Sequence, residues 1–78
     1  MTNERIKQIA YEPILDAWKV IRMTQNLTQN DEDGWRAYID AHTAFCRKYN
    51  PNAGHGYGYY LAMAIMAIVD EIAKENKT

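Results

Sequence analysis

His42 and Cys46 are the two residues best suited to chemistry in this 78-residue chain, and they lie four positions apart. On a helix this spacing places both side chains on one face, where they could supply half of a zinc site or a Cys/His nucleophile pair. His55 is the only other histidine in the chain. A carboxylate such as Asp40 or Asp70 could complete a metal site, but no feature of the sequence singles one out. Because His42 and Cys46 also belong to an apolar stripe, we expect core packing, no metal and no catalytic residue.

Residues 54–58 form a glycine-rich loop, Gly-His-Gly-Tyr-Gly, before a predicted helix. Backbone N–H groups at a helix N-terminus can bind anions. However, no strand precedes this loop, its spacing is not that of a dinucleotide site, and no Gly-Lys-Ser/Thr follows. We therefore interpret the glycines as a tight turn and expect no cofactor. With no nucleophile motif elsewhere, the sequence predicts a protein that is not an enzyme.

Charge and hydropathy exclude several classes of protein. Nine Lys and Arg residues oppose ten Asp and Glu residues, and the segments 1–30, 31–50 and 51–78 carry net charges of +1, −1 and −1. This balance disfavours nucleic-acid binding, which usually requires a basic excess. The longest apolar run, residues 59–69, is far shorter than the roughly 20 residues of a membrane span. Without a signal-peptide pattern, a cytoplasmic location is expected.

Apolar residues recur at three- and four-residue steps in the first third of the chain, which predicts an amphipathic helix. Pro13 interrupts the pattern. One alternative is a short N-terminal helix followed by a main helix from about Glu12 to about Asn26, and the other is one continuous kinked helix. The predicted stripe contains Ile6, Ile9, Ala10, Pro13, Ile14, Ala17, Trp18 and Ile21.

A second helix is predicted to begin near residues 28–33 and to end before Pro51. Thr28 with Asp31, or Asn30 with Asp33, fits an N-terminal cap. The cations of its last turn, Arg47 and Lys48, suit the helix dipole. Its predicted buried face contains Trp35, Tyr38, Ile39, His42, Phe45, Cys46 and Tyr49.

The third predicted helix begins between Gly56 and Tyr59 and runs to about Glu75. One apolar stripe along it would contain Tyr57, Tyr60, Leu61, Ala64, Ile65, Ile68, Val69 and Ile72, and further apolar residues widen it. Two other helices in so short a chain can hardly cover a helix that is apolar nearly all round. We therefore predict a homodimer whose interface contains Tyr59, Tyr60, Met63, Met66 and Ala67.

Together these patterns predict a single all-α domain over residues 1–78, a small three-helix bundle with the optional short helix before Pro13. The leading functional hypothesis is a non-enzymatic accessory protein that acts through protein contacts. The alternative is a small helix-turn-helix-like DNA-binding regulator, because three helices can form that motif, although the charge balance opposes it.

Four features follow one another along the chain: Tyr11 and Trp18, Asp31-Glu32-Asp33-Gly34-Trp35, Arg47-Lys48-Tyr49-Asn50 and Val69-Asp70-Glu71-Ile72. Their order resembles that of small helical proteins encoded in prophages and phages of Gram-positive bacteria. The resemblance covers most of the chain, and its motifs have low specificity. It implies an accessory protein with no assigned catalytic residues and with a host or phage protein as partner. The glycine-rich loop and the paired tyrosines depart from the group.

Overall fold

Helices account for most of the residues that the computed structural model describes, which are residues 1–49 and 56–76. In chain order they are α1 (Asn3–Ile6), a π-helical segment (Lys7–Tyr11), α2 (Glu12–Arg22), α3 (Glu32–Tyr49) and α4 (Tyr57–Asn76). Within these two ranges the chain forms no strand. The three longer helices pack against one another in every pairing, which confirms the predicted all-α three-helix bundle.

Pro13 lies in the first turn of α2, and the chain before it remains helical. In an α-helix the proline ring collides with the carbonyl group four residues earlier, here that of Ile9. The preceding turn is wider than an α-helical turn, since the Glu12 N–H donates to the Lys7 carbonyl five residues earlier. The structure therefore combines features of both sequence alternatives. A short N-terminal helix is present, and it continues without a break into α2 through a π-helical turn.

The end of α2 comes at Arg22, four residues before the predicted end at Asn26. Thr24 is buried, and its hydroxyl donates to the Ile21 carbonyl at 2.7 Å. The Thr24 and Gln25 N–H groups likewise donate to carbonyls three residues earlier, at 3.0 and 3.2 Å. A threonine that bonds to the backbone of the preceding turn competes with the α-helical ladder, and the helix tightens into turns here.

Asp31 is the N-terminal cap of α3, so both predicted cap registers were wrong. Its carboxylate accepts a hydrogen bond from the Gly34 N–H at 2.9 Å, and its carbonyl accepts one from the Trp35 N–H at 2.9 Å. Thr28 instead uses its carbonyl group, which accepts the Trp35 indole N–H at 3.0 Å. A carboxylate at this position satisfies a free backbone donor and interacts favourably with the helix dipole.

The core lies where one face of each long helix meets the others. It is rotated from the predicted stripes: Ile14, Trp18, Ile39, Tyr60 and Ile68, all members of those stripes, are exposed. Three of the core residues are small and allow the helices to approach closely: Ala17, Ala62 and Ala73. The core contains Ala17, Val20, Leu27, Tyr38, Phe45, Ala62, Ile65, Val69 and Ala73.

Residues 3–11, here called the arm, comprise α1 and the π-helical segment and project from the bundle. None of these residues is buried, and their principal contacts are with each other and with the start of α2. The molecule is accordingly elongated, measuring 46 × 22 × 15 Å along its principal axes.

Candidate interaction surface

His42 and Cys46 lie side by side as predicted, between α3 and α4. The His42 Nε2 atom is 3.0 Å from the Ala62 carbonyl oxygen, and its Nδ1 atom is 3.6 Å from the Cys46 sulfur. Because a carbonyl oxygen only accepts, Nε2 carries the proton, and Nδ1 accepts the thiol hydrogen. Burial raises the pKa of the Cys46 thiol, which keeps the sulfur protonated. This arrangement joins α3 to α4, and the raised pKa disfavours the thiolate form of Cys46.

The carboxylates considered as additional metal ligands lie elsewhere. Asp40 is exposed on α3. Asp70 forms an ion pair with Lys74, whose Nζ atom lies 2.9 Å from the Asp70 carboxylate oxygen. In residues 1–49 and 56–76, no three His, Cys, Asp or Glu side chains are grouped closely enough to hold a metal ion. His55 lies outside the described residues.

Only part of the glycine-rich loop belongs to the described residues, because Gly54 and His55 lie outside them. Gly56 precedes α4 with a φ angle of +87°, a conformation that a side chain disfavours. Its carbonyl accepts the Tyr60 N–H at 3.2 Å, which starts the helix, and Gly58 is buried in the first turn of α4. These two glycines therefore have structural roles in turning and packing.

Asp16 forms a polar cluster with Lys48 and Tyr49 that the sequence did not reveal. Its carboxylate accepts hydrogen bonds from the Tyr49 hydroxyl and from the Lys48 ammonium, the latter at 3.0 Å. The Tyr49 hydrogen bond, followed by that of Lys48, lowers the pKa of the Asp16 carboxyl. The Asp16 hydrogen bond in turn raises the pKa of Lys48. The cluster connects α2 to α3, and this stabilising contact is sufficient to explain it.

Two tyrosine-to-phenylalanine variants test this cluster. Tyr49→Phe removes the donor to Asp16 and should lower the free energy of unfolding by about 1 kcal/mol. The Tyr38 hydroxyl is buried and has no hydrogen-bond partner among the described residues, so Tyr38→Phe should be neutral or stabilising. Urea denaturation of both variants measures the difference. Equal effects of the two substitutions would contradict the account.

The Tyr49→Phe penalty should also depend on pH. A carboxyl whose pKa is lowered by folding stabilises the fold above its unfolded pKa, about 4, and loses that contribution as the pH falls through its folded pKa. The pKa of Asp16 is lowered mainly by Tyr49. The difference between wild type and Tyr49→Phe should therefore be constant near neutral pH and shrink below about pH 4. A difference that grows on acidification would contradict this assignment.

The exposed side of α4 is apolar over most of its length, and we call it the α4 surface. The buried residues of α4 follow one stripe through Ile65 and Val69. At 100° per residue, Ala67 lies nearly opposite that stripe, at the middle of the exposed arc. The α4 surface consists of Tyr57, Tyr60, Met63, Ala64, Met66, Ala67 and Ile68, all of which are exposed.

Four of the five predicted interface residues belong to this surface. Tyr60 is 67% exposed, Met63 and Met66 are each 49% exposed, and Ala67 is also exposed. Tyr59 is half-buried, and its ring packs edge-on against Tyr60 with the centroids 5.5 Å apart. The structure therefore places the predicted residues where a protein partner could reach them. The interface itself stays a prediction.

A groove of about 860 Å³ runs between α2 and α4 beside the α4 surface. The sequence did not reveal it, because periodicity places Trp18, which is 55% exposed, on the apolar stripe of its helix without showing which neighbour that stripe faces. Ala67 belongs to both the groove and the α4 surface, so the two are continuous. The apolar lining comes from Trp18, Ile21, Ala67, Ile68 and Ile72, and the polar lining from Arg22, Gln25, Glu71, Glu75 and Asn76.

The exposed side of α3, in contrast, carries both signs of charge. Arg36 pairs with Asp33 at 3.6 Å, and Asp40 and Arg47 follow on the same helix. Phosphate contacts require cations without neighbouring anions, so this face gives the DNA-binding alternative no support. Among the described helices, none combines the length and the apolar character needed to cross a membrane.

No protein-family model, curated protein or solved structure matches this chain. The resemblance to prophage-encoded proteins stays a prediction.

Proposed function

We propose that this chain is a non-enzymatic protein that acts through protein–protein contacts and associates with itself through the α4 surface. The observation that carries this proposal is the uncharged stretch of residues 57–69, which its own chain covers on one side only. Contiguous exposed apolar surface on a small protein marks an interaction site. Methionine and tyrosine are also enriched at protein interfaces.

The accessible area supports the proposal. The chain exposes 5671 Å², whereas a monomeric protein of 9.1 kDa is expected to expose about 4,900 Å². The projecting arm contributes to this excess, whose size is comparable to the roughly 800 Å² that one partner buries in a standard interface. The core of a bundle of this size is small and supplies little stability. Burying apolar surface against a second copy adds to that stability.

Two alanine-to-aspartate variants test the proposal with the same chemical change. Ala67 lies at the middle of the α4 surface, and Ala37 is exposed on α3. Ala67→Asp places a charge in the proposed interface and should convert the self-associated protein to a monomer, because an unpaired charge is costly to bury. Ala37→Asp should leave the association unchanged. Light scattering after size exclusion gives the mass of each variant, and circular dichroism checks that each is folded.

Association of Ala67→Asp equal to that of wild type would refute the α4 surface as the interface. A wild-type protein that remains monomeric at high concentration would refute self-association altogether. In the proposed role the chain is an accessory protein, in keeping with the prophage-encoded proteins that its sequence resembles.

A further inference from the structure

We infer that the groove between α2 and α4 binds the arm, residues 3–11, of a second copy of this chain, and that the two copies exchange arms. The inference rests on the proposed self-association and specifies which segments meet. It follows from three properties of the described residues: an uncovered arm, a groove of matching length, and opposite charges on the two.

The arm carries apolar side chains that its own chain leaves uncovered. Ile6 and Tyr11 are exposed, and Ile9 and Ala10 are only half-buried. A projecting helix gains little stability from intrinsic propensity, since most helical stability in proteins comes from packing an apolar face. The arm therefore has the character of a segment that packs against another surface.

The groove has the length that the arm requires. Nine residues of helix rise about 13 Å, and the groove follows α4 over a similar length, from Ala67 to Asn76. Helix α2 and the turn that follows it supply the other wall, through lining residues between Trp18 and Gln25. A helix packed between two others is a standard arrangement in a helical bundle.

Two-fold symmetry brings arm and groove together in one register. If the first helical segments of two copies run antiparallel and cross at Ile14, residues 3–11 of one copy lie beside residues 17–25 of the other. This range contains the residues through which α2 and the following turn line the groove, from Trp18 to Gln25. Ile14 is exposed, so two copies of it can meet at the axis. Such a dimer is closed, because each copy gives one arm and accepts one.

The charges of arm and groove are complementary in this register. Arg5 and Lys7 are exposed on the arm, and they reach the level of Glu71 and Glu75, which rim the groove on α4. Arg22, on the α2 side, comes to the level of the arm's Ile6, so the complementary pairs of this register are those on the α4 rim. Complementary charges select the correct register and partner. The charges along the edge of the groove therefore favour the arm of a second copy of this chain as the bound segment.

Charge reversal tests the exchange with two full-length variants. One carries Arg5→Glu and Lys7→Glu, and the other carries Glu71→Lys and Glu75→Lys. Each variant alone pairs like charges twice per dimer, and its dissociation constant should rise by about tenfold or more at low salt. An equimolar mixture restores opposite charges at both contacts, so a heterodimer should form. Native mass spectrometry separates heterodimer from homodimer by mass, and circular dichroism checks that both variants are folded.

The outcomes separate this inference from the proposal on which it rests. A heterodimer that forms more tightly than either homodimer supports arm exchange. A wild-type dimer whose affinity neither charge reversal changes refutes arm exchange, and it leaves self-association through the rest of the α4 surface standing. Two weakened homodimers with no recovery on mixing also refute arm exchange. A wild-type monomer at every concentration refutes both.

Discussion

Replacing Ile65 by alanine is expected to lower the free energy of unfolding by about 2–5 kcal/mol. Ile65 is 1% exposed and lies beside the equally buried Val69 in the core stripe of α4. Removing its side chain beyond Cβ loses apolar burial and leaves a cavity that the helices can only partly close. A chain of 78 residues has a total stability of roughly 4–12 kcal/mol, so this single change removes a large fraction.

The matched control is Ile39→Ala on α3. Ile39 is 56% exposed, and the same substitution there should cost less than about 1 kcal/mol. Urea denaturation of both variants, at one protein concentration because association adds to stability, gives the comparison. If Ile39→Ala cost as much as Ile65→Ala, the core would be rotated from the face described above, and the position of the α4 surface would be wrong as well.

Gly34→Ala is expected to destabilise the protein by about 1–3 kcal/mol, although alanine is the better helix former by about 1 kcal/mol. A Cβ atom on Gly34 would collide with the Asp31 carboxylate oxygen and would lie 2.8 Å from the Leu27 Cδ1 atom. The carboxylate would have to leave its capping position, and the buried Leu27 would have to shift. Both losses outweigh the gain in helix propensity.

A double-mutant cycle with Asp31→Ala checks this explanation. Asp31→Ala alone removes the cap and should cost about 1 kcal/mol. In that background the carboxylate clash is absent, so adding Gly34→Ala should cost less than it does in wild type. Thermal or urea unfolding of the four proteins gives the coupling. Strict additivity, or stabilisation by Gly34→Ala alone, would contradict the described start of α3.

The helices and the fold class were predictable from the sequence because apolar periodicity and turn residues act locally. The prediction that α4 begins between Gly56 and Tyr59 and ends near Glu75 agrees with its bounds, Tyr57–Asn76. Arg47 and Lys48 lie in the last turn of α3 as predicted. The common face of His42 and Cys46 was also confirmed, since a spacing of four residues fixes it.

The rotation of each helix was not predictable, because both α2 and α4 carry more apolar residues than the core can accept. In α2 the sequence pattern favoured Ile14 and Trp18, whereas the structure buries Val20 and, in the turn after the helix, Thr24. Neighbouring helices decide which part of a wide apolar arc becomes core, and a single sequence does not show those neighbours. The unused part of each arc forms the groove and the α4 surface.

The Asp16 cluster was missed for a related reason. Asp16 and Tyr49 are 33 residues apart, and only the packing of α2 on α3 brings them together. By contrast, the Asp31 cap had a local signal: an acid three residues before a glycine at the start of a helix. The pattern Ser/Thr-x-x-acid drew attention to Thr28 instead, although an aspartate caps equally well.

The measurement that tests the central claim most directly is the solution mass of the wild-type chain, determined by light scattering after size exclusion across a hundredfold dilution. Self-association through the α4 surface predicts the mass of a dimer at high concentration, with dissociation toward the 9.1-kDa monomer on dilution. A mass of 9.1 kDa at every concentration would contradict self-association, and the apolar residues of α4 would then need a different protein to cover them.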